Sequence, residues 1–334
     1  MNTRQPISHE SRRPKAPRPA MKLSDAGELR AVELLISRLP SRADVAVGAG
    51  DDCAVVRARS GKWDFLLTSD PVIAGVHFES SLRPERAGWK AACRVISDIA
   101  AMGGEPLWML VNIAAPPDMG MNAVMGIRRG AAQAARRFGM AIVGGDLSQS
   151  GELQIHVFGV GRVPRGRAVL RSGASAGDGI YVTGALGGSI LGRHASFVPR
   201  VREGIFLRRW ASAMMDISDG LAADLMRLAA ASGTGAIVDA PAIPVSASAR
   251  RMRDGRSAIA HAVEDGEDFE LLFTVPETRS ALFEKAWRRA FSLRCTRIGA
   301  MTDRTGVIIY RNADGKELSA TFRGFTHFSG KRRT

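Results

Sequence analysis

The spacing of apolar and polar residues along this 334-residue chain predicts both helices and strands. Near the start, apolar residues recur at helical intervals from Leu29 to Leu39. We therefore expect a helix that Ser24 caps and that ends before Pro40, because proline cannot continue it.

Three longer stretches have the same helical spacing. They run from Pro84 to the Gly103-Gly104 pair, over 121–138, and over about 219–231. Proline suits the first turn of a helix and glycine is common just past its end, so these boundaries are chemically marked. The glycine-rich segment Gly184–Gly192 follows an apolar run, and we expect a further helix to begin there.

Short apolar or alternating runs predict strands between these helices. Their ranges are 44–47, 53–57, 64–69, 107–115, 140–143, 153–163, 179–183, 235–239, 269–275 and 306–311. Mixed strands and helices of this kind are typical of α+β folds.

The predicted elements fall into two groups, separated by a seam at 164–178 that is rich in Arg, Gly and Ser. We therefore expect an N-terminal domain over 21–163 and a C-terminal domain over 164–330, both of α+β type. Residues 1–20 have almost no apolar periodicity, which predicts a disordered basic tail.

The chain is strongly basic, with a formal net charge of +14. Half of that excess lies at the two ends, in residues 1–20 and 331–334. A basic body suits small ligands that are rich in phosphate, as well as nucleic acid. Nucleic-acid binding is not expected, because no basic motif interleaved with aromatic residues is present.

Cysteine usage and hydropathy bear on where the protein works. Cys53, Cys93 and Cys295 are odd in number and far apart, so we expect neither a disulfide framework nor a CxxC metal knuckle. No apolar run approaches the roughly 18 residues that cross a bilayer, and no secretory segment follows the first charges. We expect a cytoplasmic protein that does not bind a membrane.

Common phosphate-binding and catalytic signatures are missing from the sequence. It has no GxxxxGK[ST] loop, no protein-kinase HRD and DFG pair, and no HExxH motif. The segment 183–188 weakly resembles a dinucleotide-binding loop, but a helix N-terminus explains it equally well. These observations identify no catalytic side chain.

A series of aspartates instead follows apolar runs in short turns, most of them marked by Gly or Ser. They are Asp51, Asp52, Asp70, Asp98, Asp146, Asp216, Asp219 and Asp268. Such turns expose backbone N–H groups and let a ligand approach closely. Mg²⁺ prefers carboxylate, water and phosphate oxygens. The pattern therefore predicts a magnesium–nucleotide site that serves phosphoryl transfer.

Any one of these aspartates has a simpler interpretation, because Asp in a turn usually caps its own backbone. Asp219 or Ser218, for example, suits a helix N-cap. Recurrence of the same setting in both halves of the chain favours a shared site. Asp98 is the most unusual member, since it lies in the apolar stretch 95–102, where a charge is costly unless it is paired or bound to metal.

Taken together, the segments around these aspartates resemble the thiamine-monophosphate kinases, in the superfamily that includes aminoimidazole ribonucleotide synthetase. The matching segments follow the family's order and cover most of residues 21–328. They are GAGDDCAVV (48–56), LLTSDPVIAGVHF (66–78), ISDIAAMGGEP (96–106), IVGGDLS (142–148), GRAVLRSGASAGDGIYVTG (166–184), MDISDGLAADLMRLAAASGTGAIVD (215–239), GEDFELLFTVP (266–276) and GFTHF (324–328).

The resemblance implies a two-domain fold like that of aminoimidazole ribonucleotide synthetase. It also implies a homodimer whose N-terminal domains pair, with ATP bound near that interface. The implied reaction is direct phosphorylation of thiamine monophosphate to the diphosphate by ATP with Mg²⁺, without a covalent enzyme intermediate.

The family's pattern also implies roles for individual residues. The implied Mg²⁺ ligands are Asp52, Thr68, Ser69, Asp70, Asp98, Asp146, Asp216 and Asp219. The implied ATP contacts are Gly145, Asp146, Arg171 and Ser218. The implied thiamine-phosphate site consists of His77, Glu267 and Phe325.

The chain departs from the family's pattern at several positions near the expected acceptor site. Residues 147–149 read Leu-Ser-Gln where Thr-Thr-Arg is frequent, so a phosphate-facing arginine is absent. Residues 264–265 add two acids, and Thr326 stands where Asp is frequent. Two alternatives therefore stay open: a related ATP-dependent enzyme with a different phosphorylated acceptor, and a nucleotide-binding protein without turnover.

Overall fold

The computed structural model describes residues 22–318 and residue 322. The predicted basic tail over 1–20, and Phe325 of the predicted thiamine-phosphate site, lie outside the described residues. The described residues divide into two compact units, a small one over 22–39 and a large one that begins at Pro40.

Helix α1 (Leu23–Ile36) is the regular element of the small unit. Its N-cap is Lys22, whose backbone N–H donates to the Asp25 carboxylate at 3.2 Å. The predicted cap at Ser24 is therefore wrong, because Ser24 already lies inside the first turn and Asp25 satisfies the exposed donor. Gly27, at a φ of 70°, interrupts the helical backbone after that turn.

The large unit begins with a seven-stranded sheet, the first sheet, in the order β1-β2-β3-β7-β4-β5, with β6 also paired to β4. Its strands are β1 (Val45–Val47), β2 (Ala54–Arg57), β3 (Trp63–Ile73), β4 (Glu105–Ala115), β5 (Ala141–Gly144), β6 (Leu147–Gln149) and β7 (Gln154–Pro164). The three long strands β3, β7 and β4 are antiparallel neighbours. Along β7 buried and half-buried residues alternate, as expected for a sheet with one packed face.

Helices α2 (Pro84–Ala101) and α3 (Met121–Phe138) cover the packed face of the first sheet. Their backbones approach closely because two glycines lie at the crossing. A Cβ added to Gly88 would lie 2.0 Å from the Ile127 carbonyl oxygen, and one added to Gly130 would lie 1.9 Å from that of Glu85. Only glycine permits this contact, and it leaves α2 almost entirely buried.

A second sheet of six strands follows, in the order β13-β10-β12-β8-β11-β9. Its strands are β8 (Gly179–Thr183), β9 (Ala213–Asp216), β10 (Gly235–Asp239), β11 (Leu271–Val275), β12 (Cys295–Thr302) and β13 (Ile308–Arg311). Every residue of β8 and β11 is buried, so both faces of this sheet are covered.

Five helices accompany the second sheet. They are α4 (Val201–Leu207), α5 (Leu221–Ser232), α6 (Ala247–Arg251), α7 (Ala258–Glu264) and α8 (Glu277–Ala290). One face of the sheet packs against α5 and α7 in a mostly aliphatic core. The other face packs against α8 in an aromatic core that includes Tyr181, Phe273 and Trp287.

The predicted α+β class is confirmed, because each sheet combines strands with covering helices in this part of the chain. The helix predicted at Gly184–Gly192 is wrong. Gly184, Gly187 and Gly188 all have a positive φ, so the backbone forms a loop with only a short 3₁₀ turn at Ser189–Leu191. Among the described residues, no helix combines the length and the apolar character needed to cross a bilayer.

Replacing Gly130 by Ala should lower the free energy of unfolding by about 2–3 kcal/mol. The new methyl group would meet the Glu85 carbonyl oxygen, which cannot move without shifting α2, and overpacking of this kind costs roughly 1–3 kcal/mol. Urea denaturation measures the change.

Gly151→Ala is the matched control for this substitution, because an added Cβ at Gly151 meets no atom within 4 Å. It should change the free energy of unfolding by less than ~0.5 kcal/mol. Unchanged stability in Gly130→Ala would contradict the close crossing of α2 and α3.

Candidate active site

One face of α2 carries four polar residues inside an otherwise apolar helix. Lys90, Arg94, Ser97 and Asp98 are spaced by four, three and one residues, so they lie along one side of the helix. Arg94 and Asp98 contact β3, Ser97 contacts the end of β9, and Lys90 pairs with Glu267. Of these four residues, only Asp98 was predicted from the sequence to belong to the site. The helical spacing of the other three could have indicated that they share its face of the helix.

Three carboxylates from distant parts of the chain meet beside this face of α2. Asp52 precedes β2, Asp98 lies on α2 and Asp216 ends β9. One oxygen from each lies within 4.8 Å of the others. The Thr68 hydroxyl on β3 donates to Asp98 at 2.6 Å, and the Ser97 hydroxyl donates to Asp216 at 2.5 Å. We call Asp52, Asp98 and Asp216 the carboxylate cluster.

The electrostatics of the carboxylate cluster disfavour three negative charges without a cation. Burial raises the pKa of Asp98 well above its usual range, and the neighbouring Asp216 raises it further. Burial and the charge of Asp52 raise the pKa of Asp216 to about 7. Asp52 is 8% exposed, and its Oδ2 has no hydrogen-bond partner among the residues that the structure describes. Oxygen donors so placed fit a divalent cation, which would neutralise the cluster.

Arg171, a predicted ATP contact, pairs here with the carboxylate cluster itself. Its guanidinium donates to Asp52 at 2.6 Å, and its backbone N–H donates to Asp51 at 3.0 Å. Burial raises the pKa of Asp51 to about 6, and the charge of Asp52 adds to this effect. Arg171 therefore partly neutralises the acidic end of the site.

Asp70 lies on β3 near the carboxylate cluster and forms a two-point salt bridge with Arg94 of α2. The second of these hydrogen bonds measures 3.0 Å. The same guanidinium reaches Glu267 at 3.4 Å. Arg94 therefore connects a predicted metal ligand to a predicted substrate contact. Ser69, next to Asp70, is exposed.

Glu267 is held in place by three basic groups and by a strained backbone. Lys90 of α2, which is fully buried, pairs with it at 2.6 Å, and His194 Nδ1 lies 3.5 Å away. Burial alone would raise the pKa of Glu267, but His194 and Lys90 lower it to about 2. Glu267 has a φ of 64°, which side chains other than glycine rarely adopt. Its carboxylate is thus ionised and fixed.

His77, the other predicted thiamine-site residue within the described range, lies beside the same group. The Lys90 ammonium donates to the His77 carbonyl oxygen at 2.5 Å. The Ile73 backbone N–H donates to His77 Nδ1 at 3.0 Å, which places the proton of the neutral ring on Nε2. Burial, with the charge of Arg94, lowers the pKa of His77 to about 4. Lys90 therefore brings His77 and Glu267 together.

Asp219 and Ser218 lie in the turn between β9 and α5, outside the carboxylate cluster. The backbone N–H groups of both donate to Asp224 at 3.0 Å. Arg227 pairs with Asp219 at 2.5 Å and with Asp224 at 2.8 Å. Burial and the charge of Asp219 raise the pKa of Asp224 to about 8. Asp224 was not predicted from the sequence as a site residue, yet it holds this turn by accepting both backbone hydrogen bonds.

Gly145 and Asp146 lie in an exposed turn between β5 and β6, also outside the cluster. A Cβ at Gly145 would lie 1.9 Å from the Val111 carbonyl oxygen, so only glycine fits there. Asp70 pairs in register with Val157, which pairs with Val111. Two strands therefore separate Asp70 from Asp146, a distance of about 14 Å at roughly 4.8 Å per strand.

Comparison with known protein families places this arrangement in a class. Residues 50–163 match the family described as AIR synthase related protein, N-terminal domain. Residues 196–312 match AIR synthase related protein, C-terminal domain. The predicted fold class, a two-domain fold like that of aminoimidazole ribonucleotide synthetase, is thereby confirmed. A hydrogenase maturation protein from Escherichia coli, 21% identical with a TM-score of 0.66, shares the fold alone.

Individual relatives narrow the class to one family. A thiamine-monophosphate kinase from Rhodopirellula baltica is 36% identical over 85% of this chain and 92% of its own length. One from Aquifex aeolicus is 33% identical over 92% of this chain and 100% of its own. A solved structure described as AaThiL complexed with AMPPCP and TMP has a TM-score of 0.80 and 32% identity, covering 93% of this chain and 100% of that one. The chain belongs to the thiamine-monophosphate kinase family.

The free energy of unfolding without divalent metal should fall as pH rises from about 6.5 to 8. Asp216 and Asp224 have folded-state pKa values of about 7 and about 8, above the roughly 3.9 of an unfolded aspartate. In this window the folded state holds protons that the unfolded state has already released, so deprotonation penalises the folded state. Urea denaturation at several pH values in EDTA measures the slope.

Asp216→Asn should show a shallower slope than the wild type, because the amide keeps an oxygen for the Ser97 hydrogen bond but cannot titrate. Asp303→Asn, at an exposed position, is the control and should keep the wild-type slope. Equal slopes in all three proteins would contradict the raised pKa of Asp216.

Proposed function

We propose that this protein transfers the γ-phosphoryl group of ATP to thiamine monophosphate and so forms thiamine diphosphate. The observation that carries the proposal is the carboxylate cluster, which joins the segment before β2, helix α2 and the end of β9. The same helix α2 carries the Lys90–Glu267 pair. Membership of the thiamine-monophosphate kinase family supports the same reaction, as does the relative whose structure is described with AMPPCP and TMP.

We propose Mg²⁺ as the cation of the carboxylate cluster. Asp52, Asp98 and Asp216 would hold it, and the buried Asp52 Oδ2 without a partner is the donor that most clearly needs one. Thr68, Ser69, Asp70, Asp146 and Asp219 are the other metal ligands predicted from the sequence. Those that lie outside the cluster would bind further Mg²⁺ ions rather than this one. When bound, Mg²⁺ would neutralise the negative charge of the phosphate oxygens while the phosphoryl group is transferred.

The nucleotide is proposed to lie between the carboxylate cluster and the turn at Gly145 and Asp146. The separation of about 14 Å between Asp70 and Asp146 follows from strand spacing and leaves room for an extended nucleotide. Arg171 and Ser218 are the other proposed ATP contacts. An arginine can donate two parallel hydrogen bonds to phosphate oxygens, which requires Arg171 to exchange part of its pairing with Asp52.

The acceptor is proposed to bind at His77 and Glu267, with Phe325 as the third contact from the sequence analysis. Glu267 is ionised and fixed, so it suits a ring that carries positive charge or N–H donors, as the thiamine rings do. His77 is neutral over the physiological pH range, with its ring proton on Nε2.

Transfer needs no side-chain nucleophile in this proposal. Phosphoryl transfer depends mainly on alignment of donor and acceptor and on neutralisation of negative charge. Here α2 supplies the alignment. Asp98 belongs to the carboxylate cluster, Arg94 holds Asp70, and Lys90 holds Glu267, so one helix fixes the positions of all three. The acceptor phosphate would then attack in line, and ADP would leave.

We propose that the N-terminal domain covers 21–163 and the C-terminal domain 164–330, with the boundary at the end of β7. The location is proposed to be the cytoplasm, which agrees with the three free cysteines of the described residues.

We also propose a homodimer that pairs through the exposed side of the first sheet. Trp108, Leu110, Ile142, Val143 and Leu147 are 37–61% exposed and lie on the neighbouring strands β4, β5 and β6. Three of them, Trp108, Leu110 and Val143, line an apolar cleft of about 240 Å³. Contiguous exposed apolar surface of this kind marks interaction sites. The turn at Gly145 and Asp146, where the nucleotide is proposed to bind, adjoins this surface. The proposed nucleotide site and the proposed dimer interface are therefore neighbours.

Asp98→Asn should lower kcat for thiamine diphosphate formation by about 10²–10³-fold, the usual loss when one charge-stabilising group is removed. The asparagine keeps the Thr68 hydrogen bond, so the melting temperature should show an intact fold. Steady-state rates with ATP, Mg²⁺ and thiamine monophosphate measure the loss.

Asp239→Asn, an exposed change on the second sheet, is the control and should keep wild-type kcat. A panel of other phosphorylated acceptors tests the first alternative function. ATP binding without turnover on any acceptor would replace the proposal with the non-catalytic alternative, and near-normal turnover of Asp98→Asn would refute the carboxylate assignment.

Val143→Asp should convert the dimer to a monomer, because it buries a charge in the proposed apolar interface. Sedimentation velocity at several protein concentrations measures the mass. Leu282→Asp on α8 is the control, since Leu282 is 65% exposed and lies outside the first sheet. A monomeric wild type, or a dimer that persists in Val143→Asp, would rule out this interface.

A further inference from the structure

A second cleft, lined by none of the residues placed in the active site, carries only basic charge. It has a volume of about 640 Å³, within the roughly 300–1,000 Å³ of small-molecule sites. It lies between the end of β7, helix α4 and the end of α8. The residues that determine its character are Arg167, Arg202, Arg208, Arg209, Phe206 and Phe291. We call it the arginine cleft.

The four guanidinium groups of the arginine cleft lack carboxylate partners. Within the described part of the chain none of them forms a salt bridge, and no acidic residue lines the cleft. Arg167 and Arg202 are exposed at its rim. The nearby charge of Glu105 raises the pKa of Arg208, but the Glu105 carboxylate is already paired with Arg162 at 3.1 Å. Like charges that converge in a concavity focus a positive potential.

Arg208 is the member that most needs a ligand. Its buried Nη1 atom has no hydrogen-bond partner in the described part of the chain, although buried polar groups are normally paired. Its aliphatic stem is fixed, because a Cβ at Gly103 would lie 2.3 Å from the Arg208 Cγ. Burial lowers the pKa of Arg208, and the positive charge of Arg167 lowers it further. An anion in the cleft would offset the repulsion between Arg208 and Arg167.

The remaining lining is aromatic. Phe206 and Phe291 meet edge to face at 5.2 Å between ring centroids. The Arg209 guanidinium lies over Phe206 at 4.6 Å from the ring centroid. Arginine planes and aromatic faces both stack on flat rings. The cleft therefore offers Arg209 and Phe206 as a surface for a flat ring, and the charges of the other three arginines for phosphate.

We propose that the arginine cleft binds a small molecule in which a flat ring is attached to a di- or triphosphate. Arginine suits phosphate because its planar fork donates two parallel hydrogen bonds. Nucleoside polyphosphates and thiamine diphosphate both join a flat ring to a phosphate chain, and titration with each of them separates these two sources.

Isothermal titration in EDTA, which withholds the divalent metal that the active site needs, tests the proposal with three probes. Inorganic triphosphate reports the charge, ATP adds a purine nucleoside, and thiamine diphosphate adds the thiamine rings. All three should bind the wild type, and a ring-bearing probe that binds more tightly than triphosphate identifies the source. Failure of all three to bind would overturn the proposal.

The variant R167Q/R202Q should bind each probe at least ~10-fold more weakly, since it removes two groups that can donate charge-assisted hydrogen bonds to phosphate. Both side chains are exposed, so the fold and thiamine-phosphate kinase turnover should be retained. R208Q should also weaken binding, through a different part of the cleft.

The control R128Q/R251Q removes the same charge at exposed positions outside the cleft. It should bind the probes like the wild type. Equal losses in the two double variants would mean that net charge alone attracts phosphate, and unchanged affinity in R167Q/R202Q would exclude the cleft. Both outcomes are independent of whether the chain phosphorylates thiamine monophosphate.

Discussion

The buried polar face of α2 is the constraint on which the rest of this structure depends. Lys90, Arg94, Ser97 and Asp98 lie on a helix whose other residues are mostly buried and apolar. Charges in such a setting are costly unless they are paired. The partners come from β3, from β9 and from the turn at Glu267, so both sheets must pack against the same helix face.

Glycines make that packing possible. Gly88 and Gly130 bring α3 against one side of α2, and a Cβ at Gly204 of α4 would lie 2.1 Å from the Ala100 carbonyl oxygen on another side. Backbone contacts this close leave α2 little freedom to shift. The carboxylate cluster inherits that rigidity, which is what a site needs when catalysis rests on alignment rather than on a nucleophile.

Charge is distributed so that the two sites have opposite character. The carboxylate cluster concentrates negative charge and fits a cation, whereas the arginine cleft concentrates positive charge and fits phosphate. Arg171 and Arg94 border the acidic site and moderate it. The net charge of +14 does not predict this separation of acidic and basic sites, because a sum over the chain says nothing about where the charges lie.

The sequence by itself determined the α+β class, most element positions and the segments that identify the family. These features rest on local chemistry, such as Pro84 at a helix start and Gly139 at a helix end. Tertiary structure alone decided that Asp52, Asp98 and Asp216 share one site while Asp146 and Asp219 lie apart from it. It also decided the pairings of Lys90 and Arg94 and the existence of the arginine cleft. Such contacts join residues far apart in the chain, so they depend on which elements pack together, and local spacing does not encode that.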